Sequence, residues 1–258
     1  MKGAIIGDII GSVYEFAGIK DYNFELFPKN MAFTDDTVLT IAIANSILHN
    51  IPFDKSLHSF GNRYQGRGYG FRFSQWLASP NPKPYNSFGN GSAMRVCPIG
   101  LAFTSKYEVL KYAKLSAEVT HNHIEGIKGA QAVALAVHLA IQGNDKKVIK
   151  SEVEELTGYN LSRSYEQIQN TYRFNETCQG SVPEAMIAFF ESSDFESAIR
   201  LAVSLGGDAD TQACIVGGIA EAYYKVIPER FINKCLPLLT NELRNILREI
   251  YEKFPRSQ

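Results

Sequence analysis

Two short runs concentrate carboxylates beside threonines: Thr34-Asp35-Asp36-Thr37, and Asp208-Ala209-Asp210-Thr211 preceded by Gly206-Gly207. Each stands directly before a long apolar stretch with helical spacing. Helix capping accounts for one oxygen-bearing residue per helix, since Asp and Thr side chains accept from the first free N–H groups and a carboxylate suits the positive end of the dipole. It does not account for two carboxylates in each run. Adjacent carboxylates in a packed site repel, and one takes a proton unless a cation neutralises the pair. Hard divalent cations do so, binding carboxylate, hydroxyl and water oxygens. No His or Cys accompanies these acids, so the donor set favours Mg²⁺ or Mn²⁺ over Zn²⁺. A single metal site uniting both runs is expected, with Gly206-Gly207 allowing a sharp turn close to a ligand.

A further acid, Glu15, lies on the apolar stretch 7–16 together with Asp8. A lone Glu is by default a surface residue, and Asp8 reads equally well as a buried hydrogen-bonding residue that ties helices together. The run Ser87-Phe88-Gly89-Asn90-Gly91-Ser92-Ala93-Met94-Arg95 alternates small and polar residues ahead of an apolar stretch. Backbone N–H groups at such a turn suit a phosphate or diphosphate. Arg95 either adds charge there or pins the loop to a carboxylate. Thr120-His121-Asn122-His123 has its histidines at i, i+2, which does not suit zinc. Each His either caps a helix or touches a ligand, and capping is favoured for His123.

The elements that must position these groups are helical. Apolar residues recur at helical spacing over 38–48, 109–117, 130–141, 182–190, 198–205, 211–224 and 238–254, with Pro183 suited to a first turn. Convincing period-two strands are missing, and the Pro- and Gly-rich stretch 79–91 reads as a surface loop. The fold expected is all-α, one domain over residues 1–258; a division near 158–173 is the weaker alternative. With 26 Lys+Arg against 27 Asp+Glu, the net charge of −1 argues against a chain-wide grip on nucleic acid or anionic membrane. A hydrophobic share of 45% with 21% charged residues is globular. No apolar run reaches the roughly 20 residues that span a bilayer, and Asp8 interrupts the only leader-like stretch. The four cysteines are scattered without a CxxC, Cys214 reading as a core residue, so a reducing cytoplasm is the expected location.

Taken together these runs resemble the ADP-ribosylglycohydrolase family. The resemblance rests on Gly7-Asp8 with Gly11 and Glu15, Thr34-Asp35-Asp36-Thr37, Gly89-Asn90-Gly91-Ser92-Ala93-Met94-Arg95, Leu115-Ser116-Ala117 with Thr120-His121, and Gly206-Gly207-Asp208-Ala209-Asp210-Thr211, in that order. It implies an orthogonal helical bundle with two Mg²⁺ or Mn²⁺ ions that releases ADP-ribose from modified targets. By that resemblance Thr34, Asp35, Asp36, Asp208, Asp210 and Thr211 ligate the metals, and Glu15 corresponds to the family's mobile active-site Glu. Glu15 or Asp36 takes the proton from the attacking water. Ser87, Phe88, Gly89, Asn90 and Gly91 correspond to the element that holds diphosphate and ribose, with His121 a further contact. One departure is Ile124, standing where the family often has Pro after the second His. The expected partner is an ADP-ribosylated substrate, a protein side chain before nucleic acid or a small molecule, for a monomer that does not engage membranes. The rival functions are a metal-dependent phosphohydrolase acting on a nucleotide diphosphate, and a non-catalytic ADP-ribose-binding protein. Released product separates them.

Overall fold

The computed structural model describes residues 1–255. Its helices are α1 (Lys2–Gly11), α2 (Asp35–His49), α3 (Phe53–Arg63), α4 (Phe71–Ala78), α5 (Gly91–Met94), α6 (Cys97–Ala102), α7 (Lys106–Glu118) and α8 (Ile124–Ile141). The second half adds α9 (Lys146–Thr157), α10 (Tyr165–Gln169), α11 (Cys178–Glu191), α12 (Phe195–Val203), α13 (Ala209–Tyr224), α14 (Glu229–Cys235) and α15 (Asn241–Lys253), with a 3₁₀ turn at Leu236–Leu238. Among the described residues there is no strand, only one isolated bridge between Gly89 and Thr177.

Local chemistry sets the helix ends. Thr34 caps α2 by accepting from Asp36 N, with Asp35 and Asp36 in the first turn. Asn50, left-handed at φ 54°, closes the same helix. Two expected boundaries are corrected. Thr177 caps α11 by accepting from Gly180 N, so the helix begins at Cys178 and Pro183 falls in its interior instead of its first turn. Thr240 likewise caps α15, delaying its start to Asn241, while Leu236–Leu238 forms the separate 3₁₀ turn.

The centre of the molecule is the pair α1 and α13. Their backbones touch: a Cβ at Gly7 would lie 1.9 Å from the Ala213 carbonyl oxygen, and one at Gly3 would lie 2.1 Å from that of Gly217. Apart from Lys2, every residue of α1 is buried. So is α13 from Ala209 to Ala222. Such an all-round apolar helix belongs in a core. α8 is the described helix long and apolar enough by composition to cross a membrane, yet 67% of it is buried inside the protein. It packs on α5, α6, α7, α9, α11 and α13, as a core helix does. The N-terminal ends of α2 and α13 open into one cavity, and Asp8 in the C-terminal half of α1 lies close behind them.

Candidate active site

The cavity encloses about 270 Å³ and is acidic at one end. Asp36 and Asp210 reach its floor from the first turns of α2 and α13, and Asp8 of α1 lies behind them, with one oxygen of each of the three within 4.8 Å of the others. Asp8 is saturated. It accepts from Thr34 N at 3.0 Å, Thr34 Oγ1 at 2.6 Å, Thr37 N at 3.1 Å and the Thr37 hydroxyl. These bonds fasten α1 to the start of α2, the tying role open to Asp8 in the sequence. Asp36 Oδ2 accepts from Thr211 Oγ1 at 3.4 Å, whereas Asp36 Oδ1 is buried without any donor. Asp210 accepts from Thr211 N at 2.8 Å.

A second group, Glu15, Asp208 and Asp210, shares Asp210 with the first and meets the same 4.8 Å spacing. Glu15 stands on the turns that follow α1, half-buried instead of on the surface. Asp208 ends the glycine turn that leads into α13, and Asn90 Nδ2 donates to its Oδ2 at 2.6 Å. Gly206 in that turn has φ +66°, which a side chain would strain. Asp35 lines the mouth, its backbone N–H bonded to the Arg67 carbonyl at 2.7 Å.

The electrostatics call for a cation. Burial is the first cause pushing each of these six carboxyls up, and for Asp36, Asp35 and Asp210 the neighbouring carboxylates add to it. Glu15 is pushed to about 7 by burial, then by Asp210 and Asp8. Among the described residues, no Lys, Arg or His forms an ion pair with any of the six. Two carboxylate groups sharing Asp210, the orphaned Asp36 oxygen and an all-oxygen donor set together fit hard divalent cations.

The other end of the cavity is lined by the loop ahead of α5, Arg95 and His121. The loop ahead of α5 is stitched on both sides: Tyr85 N and Ser87 N bond to the Thr120 carbonyl, and Asn90 N bonds to the Glu176 carbonyl at 2.7 Å. Gly126 at the start of α8 lets it approach, since a Cβ there would lie 2.7 Å from the Ser87 carbonyl oxygen. Beneath it lies Arg95, fully buried, with Nη2 donating to Ser116 O and Thr120 Oγ1, both at 2.9 Å, so it pins the loop to a carbonyl and a hydroxyl and not to a carboxylate. Thr120 Oγ1 also hydrogen-bonds His121 Nδ1 at 2.7 Å, which fixes the plane of the imidazole. Burial, then the charges of Arg95 and Arg72, hold His121 well below its usual range, so it is neutral. Its Nε2 faces Gly89 and Gly91.

Of the residues expected from the sequence, Glu15, Asp35, Asp36, Ser87, Gly89, Asn90, Gly91, His121, Asp208, Asp210 and Thr211 all line the cavity. Two stand off it. Thr34 spends its hydroxyl on Asp8. Phe88 turns outward, its ring 5.3 Å from that of His123, because its carbonyl is taken by Cys178 N on the inner side. His123 caps α8, accepting from Glu125 N at 3.1 Å. Arg72, Tyr85 and Phe174 also line the cavity wall, though no sequence pattern marks them. Their signal is weak, for isolated Arg and aromatic residues in loops carry no spacing pattern.

Comparison with known proteins agrees with this geometry. The sequence model of the ADP-ribosylglycohydrolase family matches residues 1–258. The mouse ADP-ribosylhydrolase ARH3 is 31% identical, over 91% of this chain and 86% of its own length. The zebrafish ADP-ribosylhydrolase ARH3 is 30% identical, over 98% of this chain and 89% of its own. A solved structure described as an ADP-ribosylglycohydrolase-related protein complex superposes with a TM-score of 0.69 at 25% identity, covering 98% of both chains. The fold is that family's all-α bundle, its sequence is matched end to end, and the chain belongs to the ADP-ribosylglycohydrolase family.

Proposed function

We propose that the chain releases ADP-ribose from an ADP-ribosylated acceptor by hydrolysing the bond at C1″ of the distal ribose, with two divalent cations, Mg²⁺ or Mn²⁺, at the acid end of the cavity. The observation that carries this is one continuous cavity with carboxylates at one end and an anion cradle at the other, which suits a sugar diol joined to a diphosphate. Bound cations would neutralise the carboxylates and polarise the ribose hydroxyls and a water. Asp36 and Asp210, fixed at the floor, serve as ligands. Asp35, Asp208 and Thr211 complete the oxygen donors on the walls. Thr34 supports them through Asp8.

Glu15 is the residue placed to take a proton from water, since it comes from the cavity's edge and is not locked by helix packing. The oxygen of that water joins C1″ as the bond to the acceptor breaks, and the acceptor atom leaves with a proton. The nearby carboxylates stabilise the positive charge that develops on the ribose. At the other end, Gly91 N–H and His121 Nε2–H donate to the diphosphate, while the N–H groups of Ser87, Gly89 and Asn90 hold the loop in shape. A substrate longer than the cavity passes over the outward-facing Phe88. The acceptor proposed is a protein side chain.

The test is turnover of an ADP-ribosylated protein with Mg²⁺ and with EDTA, followed by product identification. Free ADP-ribose that appears only with the cation supports the proposal. AMP with ribose phosphate would replace it by the phosphohydrolase reading.

A further inference from the structure

Glu15 and Asp208 come from separate segments of loop, and both carry charge that drives them apart. Something must hold the segments together. The junction beneath them is Lys20, whose Nζ donates to the Gln169 carbonyl at 2.6 Å, the Tyr172 carbonyl at 2.8 Å and the Leu205 carbonyl. Those three acceptors use every donor of an ammonium group. Gln169 Nε2 reinforces the joint, donating to the Lys20 carbonyl at 2.8 Å and to the Ser204 carbonyl at 3.2 Å. The Gly206 turn lies against the same spot, where an added Cβ would meet Ile19 O at 2.7 Å and the Lys20 side chain at 2.9 Å. Gly207 is pressed on Tyr172, to within 2.3 Å for an added Cβ. Three segments far apart in sequence thus close on one lysine, which stands five residues after Glu15 and bonds the carbonyl of Leu205, three residues before Asp208.

We propose that Lys20 is a positioning residue for the Glu15–Asp208–Asp210 group, holding the Glu15 segment against the glycine turn so that Asp208 and Asp210 hold one cation with Glu15 beside it, free to take a proton from water. The inference rests on the two-cation reading above. Lys20 acts through geometry, because its ammonium is spent on carbonyls and forms no ion pair with the cluster. The Asp8–Asp36–Asp210 group does not depend on it, being set by helix packing and by the bonds of Asp8 to Thr34 and Thr37.

The experiment is calorimetric titration of Mn²⁺ into native protein, Lys20→Met and Lys146→Met, with thermal melting of each. Lys146 is a control of similar construction away from the cavity, donating to Phe190 O at 3.2 Å, Ser192 O and Tyr224 Oη at 2.9 Å. Native protein and K146M bind two ions with equal affinities, whatever the loss in Tm of the variant. K20M keeps one ion at native affinity and binds the second at least about tenfold more weakly. Lys20→Arg recovers part of that loss. If K20M does not fold, Gln169→Leu carries the test, with a smaller weakening of the second ion alone. Two ions bound by these variants as in native protein would overturn the role of Lys20 and leave the metal reading standing. No Mn²⁺ bound by native protein would overturn both.

Discussion

Asp8 and Asp210 sit on two helices whose backbones are in contact, with Asp36 on a third helix tied to them through Asp8, whereas Glu15 and Asp208 sit on loops joined by one lysine and a few carbonyls. The first arrangement uses glycine at Gly3, Gly7 and Gly11 to bring α1 within van der Waals reach of the α13 backbone. The second uses glycine at Gly206 for a left-handed turn. Rigid helices fix a ligand geometry closely, and loops allow the substrate-facing group to adjust. The cavity therefore combines a fixed floor with an adjustable rim, and the residue proposed to handle the proton belongs to the rim.

Breaking the floor has the largest expected effect. Asp36→Ala removes the ligand that both caps the cavity floor and carries the orphaned oxygen, and turnover falls roughly a thousandfold with loss of one bound Mn²⁺. Gly7→Ala leaves the carboxylates intact but drives a Cβ into the Ala213 carbonyl. Overpacking of this kind costs about 3 kcal/mol, so Tm falls by about 6–12 °C, read by melting without ligand. Glu15→Gln disturbs only the rim. It lowers kcat about a hundredfold with Tm unchanged and ADP-ribose affinity within a few-fold of native. Equal turnover in that variant would remove Glu15 from the chemistry. His121→Ala, at the anion end, is the mildest: ADP-ribose binds about tenfold more weakly while Mn²⁺ binding is untouched.

The acidic runs are far more legible in the sequence than the contacts that hold them in place. Thr34-Asp35-Asp36-Thr37 and Asp208-Ala209-Asp210-Thr211 are local patterns, since caps and first-turn carboxylates lie within a few residues of the helix they start. Their union needs only that two helix N-termini meet. The loop 87–91 was visible for the same reason. What holds the rim is invisible locally, because Lys20 is bonded to carbonyls about 150 to 185 residues away. α1 gave no amphipathic signal, as nine of its ten residues are buried and no polar face marks its period. The start of α11 was misplaced because Pro183 suggested a first turn, while Thr177 supplies the real cap. The outward turn of Phe88 depends on a backbone bond to Cys178, a contact that alternation of small and polar residues does not encode.

The most direct test of the two-ended cavity is calorimetric titration of ADP-ribose into the protein with Mg²⁺, with EDTA, and into Asp208→Ala/Asp210→Ala. Tight binding with Mg²⁺ that disappears both in EDTA and in the folded double variant is the predicted result, placing the ribose at the acid end. ADP-ribose binding of equal strength in all three, or none from folded, cation-loaded protein, would contradict it.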